Sequence, residues 1–183
     1  MRSQVEITWK DGKTYNGPLD SRYKYEGVGT MSWSNGTVYS GDFTGGQRDG
    51  QGKLEIKGGA TFDGYFKNGA FIEGRVLSEG NIYNGKFNDG AYNGRGQLTY
   101  SNGDTYSGSF VNGMRSGKGS FTGSVELDGR FQSGKKGTYK FTYQGEFRSD
   151  KFHGQGQITN FDLWAGLDDW GCSYRGSFVK NVA

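Results

Sequence analysis

Apolar and polar side chains alternate along most of this chain, in short segments interrupted by Asn-Gly and Asp-Gly pairs. In Tyr39-Ser40-Gly41-Asp42-Phe43, residues 39, 41 and 43 share one face of an extended strand, while Ser40 and Asp42 point the other way. The same aromatic-x-Gly-x-Phe pentad returns at Phe62-Gly64-Phe66, Tyr83-Gly85-Phe87, Tyr106-Gly108-Phe110, Tyr143-Gly145-Phe147 and Tyr174-Gly176-Phe178. Weaker copies stand at Tyr15-Gly17-Leu19 and Leu127-Gly129-Phe131. The off-face positions, such as Asn84/Lys86, Ser107/Ser109, Gln144/Glu146 and Arg175/Ser177, are polar and predict a wetted face; Tyr65 is the exception. Pentad starts at 15, 39, 62, 83, 106, 127, 143 and 174 define a tandem repeat with a step of roughly 23 residues.

A second glycine pair follows five of the pentads: Gly50-x-Gly52, Gly94-x-Gly96, Gly117-x-Gly119 and Gly154-x-Gly156, with Gly27-x-Gly29 one residue late. After each pair an alternating apolar segment follows, with Met31/Trp33, Leu54/Ile56, Leu98/Tyr100 and Tyr139/Phe141; Ile7/Trp9 matches this half, so the chain begins within a repeat. Asn68-Gly69, Asp89-Gly90 and Asn112-Gly113 follow the first strand of their repeats, and Asp11-Gly12, Asn35-Gly36 and Asn102-Gly103 the second. Such pairs between alternating segments are strong hairpin signals, so each repeat is two antiparallel strands. Glycine weakens a strand unless a ring covers the bare backbone. The expected fold is all-β: an elongated single-layer antiparallel sheet of tandem β-hairpins. Its about 15 strands span a distance of order 70 Å, twisted into a trough with the aromatic face concave. Residues 1–183 form one domain in this reading, with 160–173 an insertion or C-terminal cap.

Composition narrows the alternatives. Gly supplies 35 of 183 residues and aromatics 16%, with a net charge of only +3. Disorder requires few aromatics and high net charge, so it is excluded. The glycine has no three-residue period, which excludes collagen, and it disfavours helices. One cysteine, Cys172, excludes an internal disulfide framework and suggests a reducing, cytoplasmic location. No apolar run is long enough for a membrane helix, and the first residues do not resemble a secretory leader. The balanced charge argues against nucleic acid as main partner.

Pentad, following glycine and Gly-x-Gly together resemble MORN repeats over nearly the whole chain, roughly residues 5–180. His153, ahead of Gly154-Gln155-Gly156, stands where that family often has a loop histidine. Choline-binding cell-wall repeats have similar length and composition but rely on Trp/Tyr pairs that this chain lacks. The chain departs from the pattern at Gly74-Arg75-Val76, which lacks the second glycine, at the short copy from Leu127, and at Phe161–Cys172. The resemblance implies a scaffold or adaptor at cytoskeletal or membrane-associated structures.

Catalytic chemistry finds little support. With His153 as sole histidine, no multi-histidine metal site can form, and Cys172 has no second Cys or His near it in sequence. Gly129-x-x-x-x-Gly134-Lys135 imitates a phosphate loop, but Lys136 replaces the required hydroxyl residue. Asp168 and Asp169 are adjacent and diverge in an extended chain. The expectation is a non-enzyme with no cofactor and no metal. Its partner is a protein segment, extended or helical, lying along the aromatic groove. The candidate contacts are Trp33, Tyr39, Phe43, Phe62, Phe66, Phe71, Tyr83, Phe87, Tyr92, Leu98, Tyr100, Tyr106 and Phe110, with Trp164 and Trp170 of the insertion. Phe71, Tyr92 and Phe152 stand nine residues into their repeats, at turns that extend the surface. Within the insertion, Leu163, Leu167 and Trp170 share one face of a short helix, as a cap or a partner contact. A membrane-surface or phosphoinositide adaptor is the second reading, drawn from the basic stretch Lys118 to Lys151 with Lys135-Lys136. Self-association through an open edge strand is a further expectation.

Overall fold

A computed structural model describes residues 3–128, 136–161 and 172–178. Trp164, Trp170, the phosphate-loop mimic and Asp168-Asp169 lie outside the described residues, as does most of the insertion. The described chain is all-β: β1 (Gln4–Thr8), β2 (Thr14–Pro18), β3 (Gly27–Ser32), β4 (Val38–Thr44), β5 (Gln47–Glu55), β6 (Thr61–Lys67), β7 (Ala70–Ser78), β8 (Asn81–Asn88), β9 (Ala91–Thr99), β10 (Thr105–Val111), β11 (Met114–Asp128), β12 (Lys136–Arg148), β13 (Lys151–Phe161) and β14 (Cys172–Phe178). These make a 14-stranded open antiparallel sheet in sequence order. Two compact units divide it, Met1–Ala91 and Tyr92–Ala183.

In the first unit, glycines face one another across every pairing from β3 to β8: Gly29, Gly41, Gly52, Gly64, Gly74 and Gly85 form one row. Two residues away runs a row of large apolar side chains: Tyr15, Met31, Tyr39, Leu54, Phe62, Val76 and Tyr83. The second unit repeats the arrangement by itself, with a glycine row of Gly96, Gly108, Gly119, Gly145, Gly156 and Gly176. Leu98, Tyr106, Phe121, Tyr143 and Ile158 run beside it. Sequence spacing places these residues; strand pairing brings them level.

The two glycines of Gly-x-Gly have different tasks. The first occupies the left-handed region, with φ of 70° at Gly27, 69° at Gly117 and 57° at Gly154. There it lets the second strand bulge, as between Gly108 and Phe110 of the facing strand. The second lies flat beneath a tyrosine. A Cβ on Gly52 would stand 2.6 Å from Cε2 and Cζ of Tyr39, and one on Gly119 2.6 Å from Cε2 of Tyr106. Two turn chemistries alternate as well. Asn68-Gly69, Asp89-Gly90 and Asn112-Gly113 have positive φ at both residues, the twist that a two-residue hairpin needs. At Asn35-Gly36 and Asn102-Gly103 only the glycine does, and the asparagine Oδ1 instead accepts the N–H of Thr37 or Asp104.

Three expectations are corrected by the register. Gly74 pairs with Gly64 and Gly85, so it is the second glycine of its pair, and the first is what this repeat lacks. One residue fewer separates Phe71 from Gly74 than Arg48 from Gly52, which shortens the repeat. Leu127 starts no strand of its own: it pairs with Gly137 in a long β11–β12 hairpin, and residues 129–131 of that copy lie outside the described residues. Tyr139 and Phe141 belong to β12 ahead of Tyr143, and Phe121 takes the place after Gly117-x-Gly119.

Candidate functional site: the aromatic face

Five pentad tyrosines lie over bare backbone and turn their hydroxyls to a carbonyl three residues on. Tyr15 donates to Pro18 O at 2.8 Å, Tyr39 to Asp42 O at 2.9 Å, Tyr83 to Lys86 O at 3.0 Å, Tyr106 to Ser109 O at 3.0 Å and Tyr143 to Glu146 O at 2.8 Å. The rings meet edge to face. Tyr39 stands 5.1 Å from both Phe43 and Phe66. In the second unit Tyr106 lies 5.0 Å from Phe110 and 4.9 Å from Phe147. Such pairs add about 0.5–1.5 kcal/mol each beyond area burial. Phe62, which has no hydroxyl, is only half-buried, and Phe71 leans 5.3 Å from it.

Lateral packing changes the expected groove. Tyr39, Phe43, Phe66, Tyr83, Leu98, Tyr106 and Phe110 are buried, with Tyr39 and Tyr83 at 0% exposure. They hold the sheet together and offer a partner almost no surface. Among the described residues no second layer covers them; neighbouring rings and the flat glycine rows do. Burial pushes the phenols of Tyr39 and Tyr106 up to about 12, desolvation being the main cause in both. Trp33, Phe62, Phe71, Phe87, Tyr92 and Tyr100 are half-buried and keep part of their surface. Phe152 stacks on Tyr143 with ring centroids 3.9 Å apart.

Sequence reasoning missed the arginines. Arg48 and Arg115 also stand nine residues into their repeats, the offset that singled out Phe71, Tyr92 and Phe152. Arg48 opposes Phe43 in the ladder and lies 5.2 Å above Phe66. Arg115 opposes Phe110 and lies 5.4 Å above Phe147. A planar guanidinium can replace an aromatic ring at a stacking position. Desolvation holds the Arg48 guanidinium below its usual range.

One concavity of about 570 Å³ opens on this face within the first unit. Tyr25, Trp33, Leu54 and Ile56 give it apolar walls, Lys13 and Arg48 give it positive charge, and no Asp or Glu lines it. A second, of about 470 Å³, lies within the second unit over Gly96, Gly108 and Gly119, rimmed by Arg95, Lys118 and serines. Its setting is the polar face. Among the described residues no group of three His, Cys, Asp or Glu is arranged to hold a metal, and no helix is long and apolar enough to cross a membrane.

A family model described as MORN repeat matches residues 21–38, 39–61, 83–105, 106–124 and 143–161, together just over half of the chain. Four of these matches begin on a pentad start, and the shortened repeat from Phe62 is not among them. No curated protein matches the chain.

Proposed function

The chain belongs to the MORN repeat family, whose repeats occur in proteins that mediate interactions, and on that premise we propose that it is a non-catalytic scaffold binding a segment of a partner protein. The bound segment is extended or helical and runs along the half-buried aromatic positions, outside the sealed pentad rings. The observation that carries this is the concavity at Trp33, Leu54, Ile56 and Arg48: apolar walls and a cation stay open where the neighbouring rings are buried. Binding energy concentrates in such aromatic and arginine anchors.

The test is affinity capture on the purified full chain, wild type against a Trp33→Ser/Ile56→Ser variant. Ile56 is 40% exposed, so its loss leaves the core rings in place. The expected result is loss of the captured protein with an unchanged circular dichroism spectrum and melting curve. A folded variant that keeps every partner overturns the proposal.

A further inference from the structure

Arg48 and Arg115 occupy one position of the repeat, and both make the same bonds to the main chain of the neighbouring turn. The main-chain oxygen of Arg48 accepts the N–H of Gly69 at 2.9 Å, and that of Arg115 accepts the N–H of Asp150 at 3.1 Å. Each guanidinium returns the bond: Arg48 Nη2 donates to Gly69 O at 2.6 Å, and Arg115 Nη2 to Asp150 O at 2.6 Å. Both lie over the tyrosine and phenylalanine rings of their own unit. Two things differ: Arg115 also lies 5.2 Å from Phe121, where the first unit has Leu54, and the turn beside it carries a side chain. Asp150 Oδ1 accepts from Arg115 N at 2.9 Å and from Arg115 Nε at 3.1 Å. Residue 69 is glycine, and a Cβ there would meet nothing within 4 Å.

Arg48 has no carboxylate partner among the described residues. Asp49 is next to it in sequence, but its carboxylate takes Lys67 Nζ at 3.0 Å and the N–H of Asn68 at 3.2 Å. The same guanidinium borders the concavity, where Lys13 adds charge and Trp33 and Ile56 add apolar surface. A half-buried guanidinium recognises a carboxylate by charge-assisted hydrogen bonds, as Arg115 does within the chain.

We propose that Arg48 receives the carboxylate of an acidic residue in a partner peptide, and that an apolar side chain beside that residue packs on Trp33 and Ile56. This rests on the scaffold reading and specifies the partner's chemistry. Asp150 is the chain's own version of the contact, with the partner carboxylate taking its place at Arg48.

Gly69→Asp supplies that carboxylate from within. Asp150 holds an aspartate at φ 67° in the equivalent turn, so Gly69, at φ 84°, can carry one at a cost in backbone strain, with open space for the side chain. Panning the purified full chain against displayed random dodecapeptides, followed by fluorescence polarisation on the selected peptides, decides the matter. Selected peptides are expected to carry Asp or Glu beside a large apolar residue. Exchanging that residue for its amide, or using Gly69→Asp protein, should weaken binding about tenfold or more. If Gly69→Asp does not fold, the amide exchange in the peptide gives the same decision on wild-type protein. Selected peptides without acidic residues, or equal binding to folded Gly69→Asp, overturn the proposal and leave the scaffold reading standing. Failure to select any peptide overturns both, and binding to phosphatidylserine or phosphoinositide vesicles in that case points to a lipid surface.

Discussion

Gly52→Ala asks whether glycine inside these strands is there for the ring above it. The φ of Gly52 is not in the left-handed region, so alanine brings no backbone strain. The added methyl would collide with Tyr39, standing 2.6 Å from Cε2 and Cζ and closer still to the hydroxyl. Tyr39 is fully buried and cannot yield freely. Forcing a methyl into a filled site costs about 1–3 kcal/mol. If the ring swings out, it forfeits the Asp42 hydrogen bond, about 1 kcal/mol, and two edge-to-face pairs at about 0.5–1.5 kcal/mol each. The two routes together bracket a loss of about 1–4 kcal/mol, or a fall in Tm of about 2–15 °C for a chain of this size. Thermal and urea unfolding followed by circular dichroism measure it. The control is the same exchange in a Tyr39→Leu background. Alanine exceeds glycine by about 0.5–1 kcal/mol in backbone entropy, so there the exchange should be neutral or stabilising. A cost below about 0.5 kcal/mol in the wild-type background, or an equal cost in both, would refute the reasoning.

Tyr143→Phe removes a buried hydroxyl that donates to Glu146 O and, at 3.2 Å, to His153 O. Urea titration should show a loss of about 1–2 kcal/mol, and an unchanged midpoint would mean that the hydroxyl contributes nothing. Alkali should unfold the chain through its phenols. Tyr39 and Tyr106 are raised from 10.0 to about 12 in the fold, so their stabilising contribution is whole below pH 10 and is lost as pH rises towards 12. Phenolate absorbance should therefore grow together with the loss of the β-sheet circular dichroism signal; complete ionisation with the sheet intact contradicts this.

Much of the fold is legible because its rules are local. Alternation in Tyr39–Phe43 gives the strand, Asn68-Gly69 gives the turn, and the repeated glycine invites a ring. The binding surface is less so, because burial is set by neighbours across the ladder. Tyr39 reads as an exposed ring until Phe66, one repeat away, closes on its edge. The meaning of Gly74 likewise waits on the register, since a deletion one residue upstream shifts which glycine of the pair is missing. Leu127 mimics a pentad start because any elongated hairpin carries the same alternation. Arg48 and Arg115 were visible by offset alone, yet a search for aromatic positions passes over a cation doing an aromatic's job.

The long β11–β12 hairpin shows what the glycine row implies for the chain's capacity to change. Its additional rungs, from Thr122↔Thr142 to Asp128↔Lys136, lie beyond the level of Tyr106, Phe121 and Tyr143, and Gly119 still meets Gly145. Length is gained distal to a fixed datum, and no module downstream loses its alignment. A foreign epitope grafted at such a tip inherits the same freedom, whereas a single residue inserted between a tyrosine and its glycine would throw the ring off its seat.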